Sequence, residues 1–210
     1  MIDIAGVDVV PMGTHSLHLR LEGFPAAAIA AALRDFNLEG VSDVVPAEST
    51  MLVRCEHESA RHSAVLKLNE ILSVADVTER KVNLEPLEIE VDYNGEDLEV
   101  VARACELSVE EVIHRHLSSD FVAAFCGFAP GFAYLAGLDP LLHLPRRETP
   151  RTRVPAGSVS IAAMYSAVYP NPSPGGWHLL GTTDATLWNV ESNPPALIEP
   201  GRRVRFIRKP

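Results

Sequence analysis

Lysine is nearly missing from this 210-residue sequence: only Lys67, Lys81 and Lys209 occur, and none follows a glycine-rich loop. A Walker A phosphate loop needs its lysine directly behind the glycines, so that motif is excluded. GxGxxG is absent too. The run PAGSV around Ser158 is not GxSxG, because Ser160 stands where the last glycine would be. No EF-hand loop occurs. Cysteine is sparse: Cys55, Cys105 and Cys126 are odd in number and far apart, with no CxxC pair. That excludes a disulfide framework or a thiolate zinc site and predicts a reducing, cytoplasmic setting. No apolar run approaches the ~20 residues of a membrane span. The start, MIDIAGVDVV, lacks the basic n-region and apolar h-region of a signal peptide. HESARH is not a zinc helix, because His57 and His62 are five apart where HExxH needs four. Neither a metal site nor a biotin attachment site is expected in this chain.

What the chain does have is an uneven charge. Residues 1–140 hold 9 Lys/Arg against 24 Asp/Glu, a net −15, whereas residues 141–210 hold 9 against 4, a net +5. So acidic a first part argues against a nucleic-acid binder. The basic end suits a local anion site: a phosphate, a carboxylate or an acidic partner surface. Within it GRRVRFIRK reads as an ordinary strand with arginines in water, Val204 and Phe206 alternating with Arg203 and Arg205.

Periodicity predicts a small α/β unit over residues 1–84. VDVVPMG reads as a strand ending at a turn, and SLHLRLE alternates Leu17, Leu19 and Leu21 against polar residues. Pro25 opens a helix with Ile29, Leu33 and Phe36 on one face. Two further strands, VSDVVPAE and STMLVRCE, precede a second helix with Ala64, Leu68 and Ile71 on one face. The order β-β-α-β-β-α predicts a ferredoxin-like sheet with helices on one face. From Glu85 a linker and strand lead into two short helices. The second starts on Ser108 and Glu111, a capping-box pair. Then the helical period is lost. Ten of the sixteen prolines fall in 141–210, between the short apolar runs SVSIAAM, SAVYP, WHLLG, ATLWN and VRFI. Short strands joined by Pro/Gly turns predict a closed or nearly closed barrel over 85–210, with function in its loops.

Two stretches and one basic segment stand out as those loops. GFAPGFAYLAGL (Gly127 to Leu138) and PSPGGWHLLGTTD (Pro172 to Asp184) mix glycine, proline and aromatics. Phe128, Phe132, Tyr134 and Trp177 are read as pocket walls. PRRETPRTRVPAGSV carries Arg146, Arg147, Arg151 and Arg153 between prolines, and the planar arginine fork fits carboxylate or phosphate. Gly157 and Ser158 offer a backbone N–H and a hydroxyl; Ser173, Gly175 and Gly176 let a ligand approach the main chain. His178 is the proton-transfer candidate, since imidazole titrates near neutral pH. The candidate site is thus His178 and Arg153 as catalytic residues, with Arg151, Gly157, Ser158, Tyr169, Ser173, Gly175 and Gly176 binding substrate.

In their order, GFAPGFAYLAGL, PRRETPRTRVPAGSVSIA, VYPNPSPGGWHLLGTTDATLW and PPALIEPGRRVRFI resemble the family of bacterial 5-oxoprolinase B subunits. The same family has been labelled allophanate hydrolase subunit 1 and includes the sporulation kinase A inhibitor. It is also similar to half of the carboxyltransferase region of urea carboxylase. The resemblance implies an α+β chain, with an N-terminal α/β domain and a C-terminal cyclophilin-like β-barrel. It implies two partners, the C subunit of 5-oxoprolinase and a LamB/YcsF-type protein as its A subunit. It further implies ATP-dependent opening of 5-oxoproline to glutamate, with any ATP site shared among these chains. The chain departs from many relatives at Ala133, Ala136, Tyr165 to Ala167 and His178, where the family often has Pro, Gly, Gln-Thr-Gly and Gln. Those departures bear on the substrate. They keep an allophanate- or urea-processing role, and a histidine-kinase inhibitor, beside the 5-oxoprolinase reading.

Overall fold

The computed structural model describes residues 2–4, 7–73 and 85–210. The chain divides into two compact units, Met1–Asn83 and Leu84–Pro210. The boundary expected at residue 84 lies outside the described residues. No helix among the described residues is long and apolar enough to cross a membrane.

The first unit is one antiparallel sheet with two helices. Its strands are β1 (Ile2–Ile4), β2 (Val7–Met12), β3 (Ser16–Arg20), β4 (Val41–Pro46) and β5 (Thr50–Cys55), in the order β1-β2-β3-β5-β4. Helix α1 (Ala26–Asp35) connects β3 to β4 across the intervening β5, and α2 (Glu58–Ser73) follows β5. This split connection is that of a ferredoxin-like sheet started from a different strand, with β1 added at one edge. The alternation that predicted β3 decides its burial: Leu17 and Leu19 lie in the core while His18 and Arg20 do not. Alanine-rich α1 forms readily and buries Ile29, Ala30 and Leu33. Two details correct the sequence reading. Pro25 is the N-cap rather than the first helical residue. Phe36 ends the helix, 46% exposed, with Lys67 Nζ 3.6 Å above its ring.

The second unit is the expected barrel. Its sheet holds β6 (Leu87–Val91), β7 (Phe121–Cys126), β8 (Ala133–Ala136), β10 (Ser158–Ala162), β11 (Tyr165–Val168), β13 (His178–Thr182) and β14 (Arg203–Arg208). They run β13-β10-β11-β8-β7-β14-β6. Two hydrogen bonds nearly close the ring: Asp92 N–H donates to Thr182 O at 2.9 Å and Thr182 N–H to Asp92 O at 2.8 Å. Two helices, α3 (Leu98–Ala104) and α4 (Val109–Ser118), follow β6. The Ser108–Glu111 capping box forms as predicted and fixes where α4 starts. ATLWN is not a strand. It packs Leu187 inward and makes one isolated bridge, Trp188 to Ala196.

A separate two-stranded antiparallel sheet pairs β9 (Arg151–Val154) with β12 (Ser173–Gly175), and β10, between them in the chain, is buried along its whole length. Val159 and Ile161 belong to the main core with Phe121, Leu135, Leu180 and Phe206. Ala162, Ala167, Tyr169, Trp177 and Leu179 join Phe132 and Val154 of β9 in a second core. SVSIA alternates serine with apolar residues, yet Ser158 and Ser160 are buried too, their hydroxyls donating to Pro155 O at 2.8 Å and Ala167 O at 3.2 Å.

Candidate functional site

The polar centre of the second unit is Asp97, a residue that periodicity alone does not single out. It is the N-cap of α3, yet its side chain does not cap the helix. Gly95 lets the chain lie against β13: Gly95 N–H donates to Leu180 O and Asp97 N–H to Leu179 O. A Cβ on Gly95 would come within 2.3 Å of Leu179 O. The carboxylate, 2% exposed, is therefore turned inward. Its Oδ2 accepts from Leu179 N–H at 2.7 Å. Its Oδ1 accepts from Arg147 Nη1 at 2.5 Å and Arg151 Nη2 at 2.8 Å. Burial by itself would raise this carboxyl. The bonds from Arg151 and Leu179 and the two guanidinium charges outweigh it and hold the group below the ordinary carboxylate value.

This node changes the role of Arg151. It is 16% exposed, tied to Asp97 and, at 3.2 Å, to Glu96. Its charge is engaged within the chain and its pKa is raised, chiefly by the Asp97 hydrogen bond. Arg153, two residues along β9, is exposed, as is Arg146. Arg203 and Arg205 project from β14 toward Asp120, each at 3.9 Å.

The β9–β12 pair and its neighbours bring Tyr169, Ser173, Gly175, Gly176 and His178 to the same region. Gly175 opposes Arg151 across that pair. Arg147 N–H donates to Gly176 O at 2.8 Å. His178 Nε2 donates to Pro145 O at 2.9 Å, which leaves Nδ1 buried and without a partner. Ser173 Oγ is likewise buried and unpartnered. Tyr169 is 2% exposed, and its hydroxyl accepts from Trp177 N–H. Burial raises its pKa against that bond.

Gly157 and Ser158 serve the fold instead. Gly157 N–H donates to Tyr169 O at 2.8 Å and its carbonyl accepts from Thr183 N–H at 2.8 Å. Its φ is +76°, and a Cβ would meet Thr183 O at 2.3 Å. Ser158 Oγ donates to Pro155 O at 2.8 Å from a position 2% exposed. Both groups that looked available to a ligand already have internal partners. The aromatics divide similarly. Phe132 and Trp177 are core, Tyr134 is half-buried and stacks on Phe125 at 4.2 Å, and Phe128 is 62% exposed at φ +71°. A cavity of about 370 Å³ lies elsewhere, at the closing seam, lined by Glu88, Glu90, Asp92, Thr182, Asp184 and Lys209 among others. It shares no residue with the arginine cluster.

Gly175 also needs its hydrogen. A Cβ there would fall 2.2 Å from Tyr169 Oη. Gly175→Ala is expected to destabilise by about 1–3 kcal/mol through overpacking. Tyr169→Phe in the same chain should recover part of that loss, measured by urea denaturation. Additive losses in the double variant would refute the contact as the cause.

The comparisons with known proteins agree with this architecture. Residues 8–198 match the family model described as the carboxyltransferase domain, subdomain C and D. The chain belongs to this family. It is 38% identical over 194 residues to a Bacillus subtilis (strain 168) protein named as the B subunit of 5-oxoprolinase, covering 86% of this chain and 81% of that one. The crystal structure of TTHA0988 superposes with a TM-score of 0.78 at 35% identity, covering 94% of this chain but 41% of that one. Kluyveromyces lactis urea carboxylase shares the fold at 18% identity and a TM-score of 0.62, over 97% of this chain and 22% of that one. The same fold therefore recurs as one segment of longer chains.

Proposed function

We propose that this chain is the B subunit of an ATP-dependent 5-oxoprolinase, opening 5-oxo-L-proline to L-glutamate. It acts in the cytoplasm with the C subunit of that enzyme and with a LamB/YcsF-type protein as the A subunit. The observation that carries the reading is the 38% identity to a 5-oxoprolinase B subunit over most of both chains.

Opening the lactam breaks its C–N bond: water adds to the carbonyl carbon and the nitrogen leaves with a proton. ATP would phosphorylate the amide oxygen and leave as ADP, and a second water would release the phosphoryl group from the resulting acyl phosphate as inorganic phosphate. The residues of this chain fit the surrounding tasks. Arg146 and Arg153, both exposed, suit a carboxylate or phosphoryl oxygen. His178, with its Nε2–H held by Pro145 O, presents Nδ1 as the atom that takes or orients a proton. The described residues fit contact with phosphoryl oxygens through guanidinium groups. The Gly157 N–H is already bonded, so the rest of the nucleotide falls to the partner chains.

The test is reconstitution. Co-expression with a C subunit of 5-oxoprolinase should give a hetero-complex by size-exclusion chromatography with light scattering. Adding the LamB/YcsF-type protein should give 5-oxoproline-dependent ATP hydrolysis, which the chain alone lacks. No complex at micromolar concentration would reject the assembly. A complex active on allophanate or urea but silent on 5-oxoproline would reject the substrate. Capture of a histidine kinase without turnover would favour an inhibitor.

A further inference from the structure

Most buried polar atoms without a partner fall on two paired segments. Among the described residues they are Arg115 Nε, Arg147 Nε, Arg151 Nη1, Ser173 Oγ and His178 Nδ1, and all but the first lie in the two segments that meet where β9 pairs with β12. Tyr169 adds a fifth group there. Its hydroxyl accepts from Trp177 N–H, keeps its own proton to donate, and lies against Gly175. Buried polar groups in folded proteins are nearly always paired, so an unpaired set in one patch calls for an occupant.

The inventory defines that occupant. The guanidinium N–H groups and the two hydroxyls are donors, while His178 Nδ1 is an acceptor because Nε2 carries the proton facing Pro145 O. Asp97 balances one of the two arginines and leaves one positive charge beside the donors. Glu96 reaches Arg151 at 3.2 Å but is 77% exposed, where water screens it. The patch reaches solvent at Arg147, which is 32% exposed, and at Gly176, which carries no side chain.

We propose that Arg147, Arg151, Tyr169, Ser173 and His178 form a subsite for a small 2-amido acid. Its carboxylate takes the guanidinium and hydroxyl donors. Its N–H, one carbon away, donates to His178 Nδ1. Asp97 is the positioning residue that holds the two arginines in register. The subsite deepens the 5-oxoprolinase reading, since 5-oxoproline is such an acid, but its donor and acceptor set is read from this chain alone.

The experiment is isothermal titration of the full chain, alone and in complex with the C subunit, with three probes. These are 5-oxoproline, 2-pyrrolidinone (no carboxylate) and cyclopentanecarboxylate (no N–H). 5-Oxoproline should bind saturably and 2-pyrrolidinone at least about tenfold more weakly, as loss of charge-assisted bonds requires. Ser173→Ala should weaken 5-oxoproline about three- to tenfold with thermal stability kept. His178→Leu should weaken 5-oxoproline similarly but leave cyclopentanecarboxylate unchanged, a difference that general damage would not produce. Equal affinity for 5-oxoproline and 2-pyrrolidinone, or equal weakening of both acids by His178→Leu, would overturn the subsite. A complex that turns over 5-oxoproline with KM untouched by Ser173→Ala and His178→Leu overturns the subsite alone. A complex that binds these acids as described yet never turns over 5-oxoproline overturns the 5-oxoprolinase reading alone.

Discussion

Asp97→Ala is expected to cost the second unit about 3–5 kcal/mol, the loss typical when one partner of a buried ion pair is removed. The substitution leaves Arg147 and Arg151 facing each other without their shared carboxylate, and leaves the Leu179 N–H without its acceptor. Asp97→Asn keeps an oxygen for Leu179 and removes only the charge, so its loss should be smaller. Both tryptophans, Trp177 and Trp188, lie in the second unit, so their fluorescence in urea reports that unit's transition separately. A loss below about 1 kcal/mol for Asp97→Ala, with unchanged m, would refute the node as a structural keystone. The sign with pH follows from the depressed carboxyl. Its contribution is present above the unfolded carboxylate value and is lost as pH falls through the lower folded one.

Acidification from pH 6.5 to 4.5 is expected to remove about 2.3 kcal/mol through a different residue, His116. This imidazole is 0% exposed. Its Nδ1 accepts from Tyr93 Oη at 2.7 Å and its Nε2 donates to Ser166 Oγ at 2.9 Å. Ser166 Oγ passes its own proton to Ser160 O at 3.1 Å. The ring stacks on Phe206 at 4.7 Å and leans on Phe121 at 5.2 Å. Burial pushes its pKa down to about 3. Between that value and 6.5 the unfolded chain binds a proton that the folded one refuses, so stability must fall as pH falls. His116→Gln preserves one donor and one acceptor but does not titrate. Its stability should be nearly flat across the window even if lower at pH 7. An unchanged slope in that variant would show that another group carries the acid sensitivity.

How far the sequence reached can be judged from these residues. Leu17 and Leu19 in β3, and Ser108 with Glu111 at α4, were legible because strand alternation and helix capping are local. The barrel was legible from spaced short strands. Asp97 and His116 were not. Asp97 sits in GEDLEV like any acidic residue before a helix, and its partners lie fifty and more residues away. His116 lies on an amphipathic helix among charged residues, and only the packing of β14 and β11 against it shows that it is enclosed. The glycines misled for the opposite reason. Composition marks where backbone comes close to something, but Gly157 and Gly175 make room for Thr183 and Tyr169 of the same chain.

The seam of the barrel bears on how the protein is made. β6 is the first strand of its sheet to leave the ribosome, yet its neighbour β14 and the bridge to Thr182 both come from the far end of the unit. Its parallel pairing with β14 joins Ile89 to Phe206, a contact of long loop closure and correspondingly slow formation. Until Arg203–Arg208 is translated, Ile89 and Val91 have no β14 to lie beside. Nascent chains stalled short of that strand should therefore recruit holdase chaperones and fall to proteases, whereas emergence of Arg203–Arg208 should let the ring close.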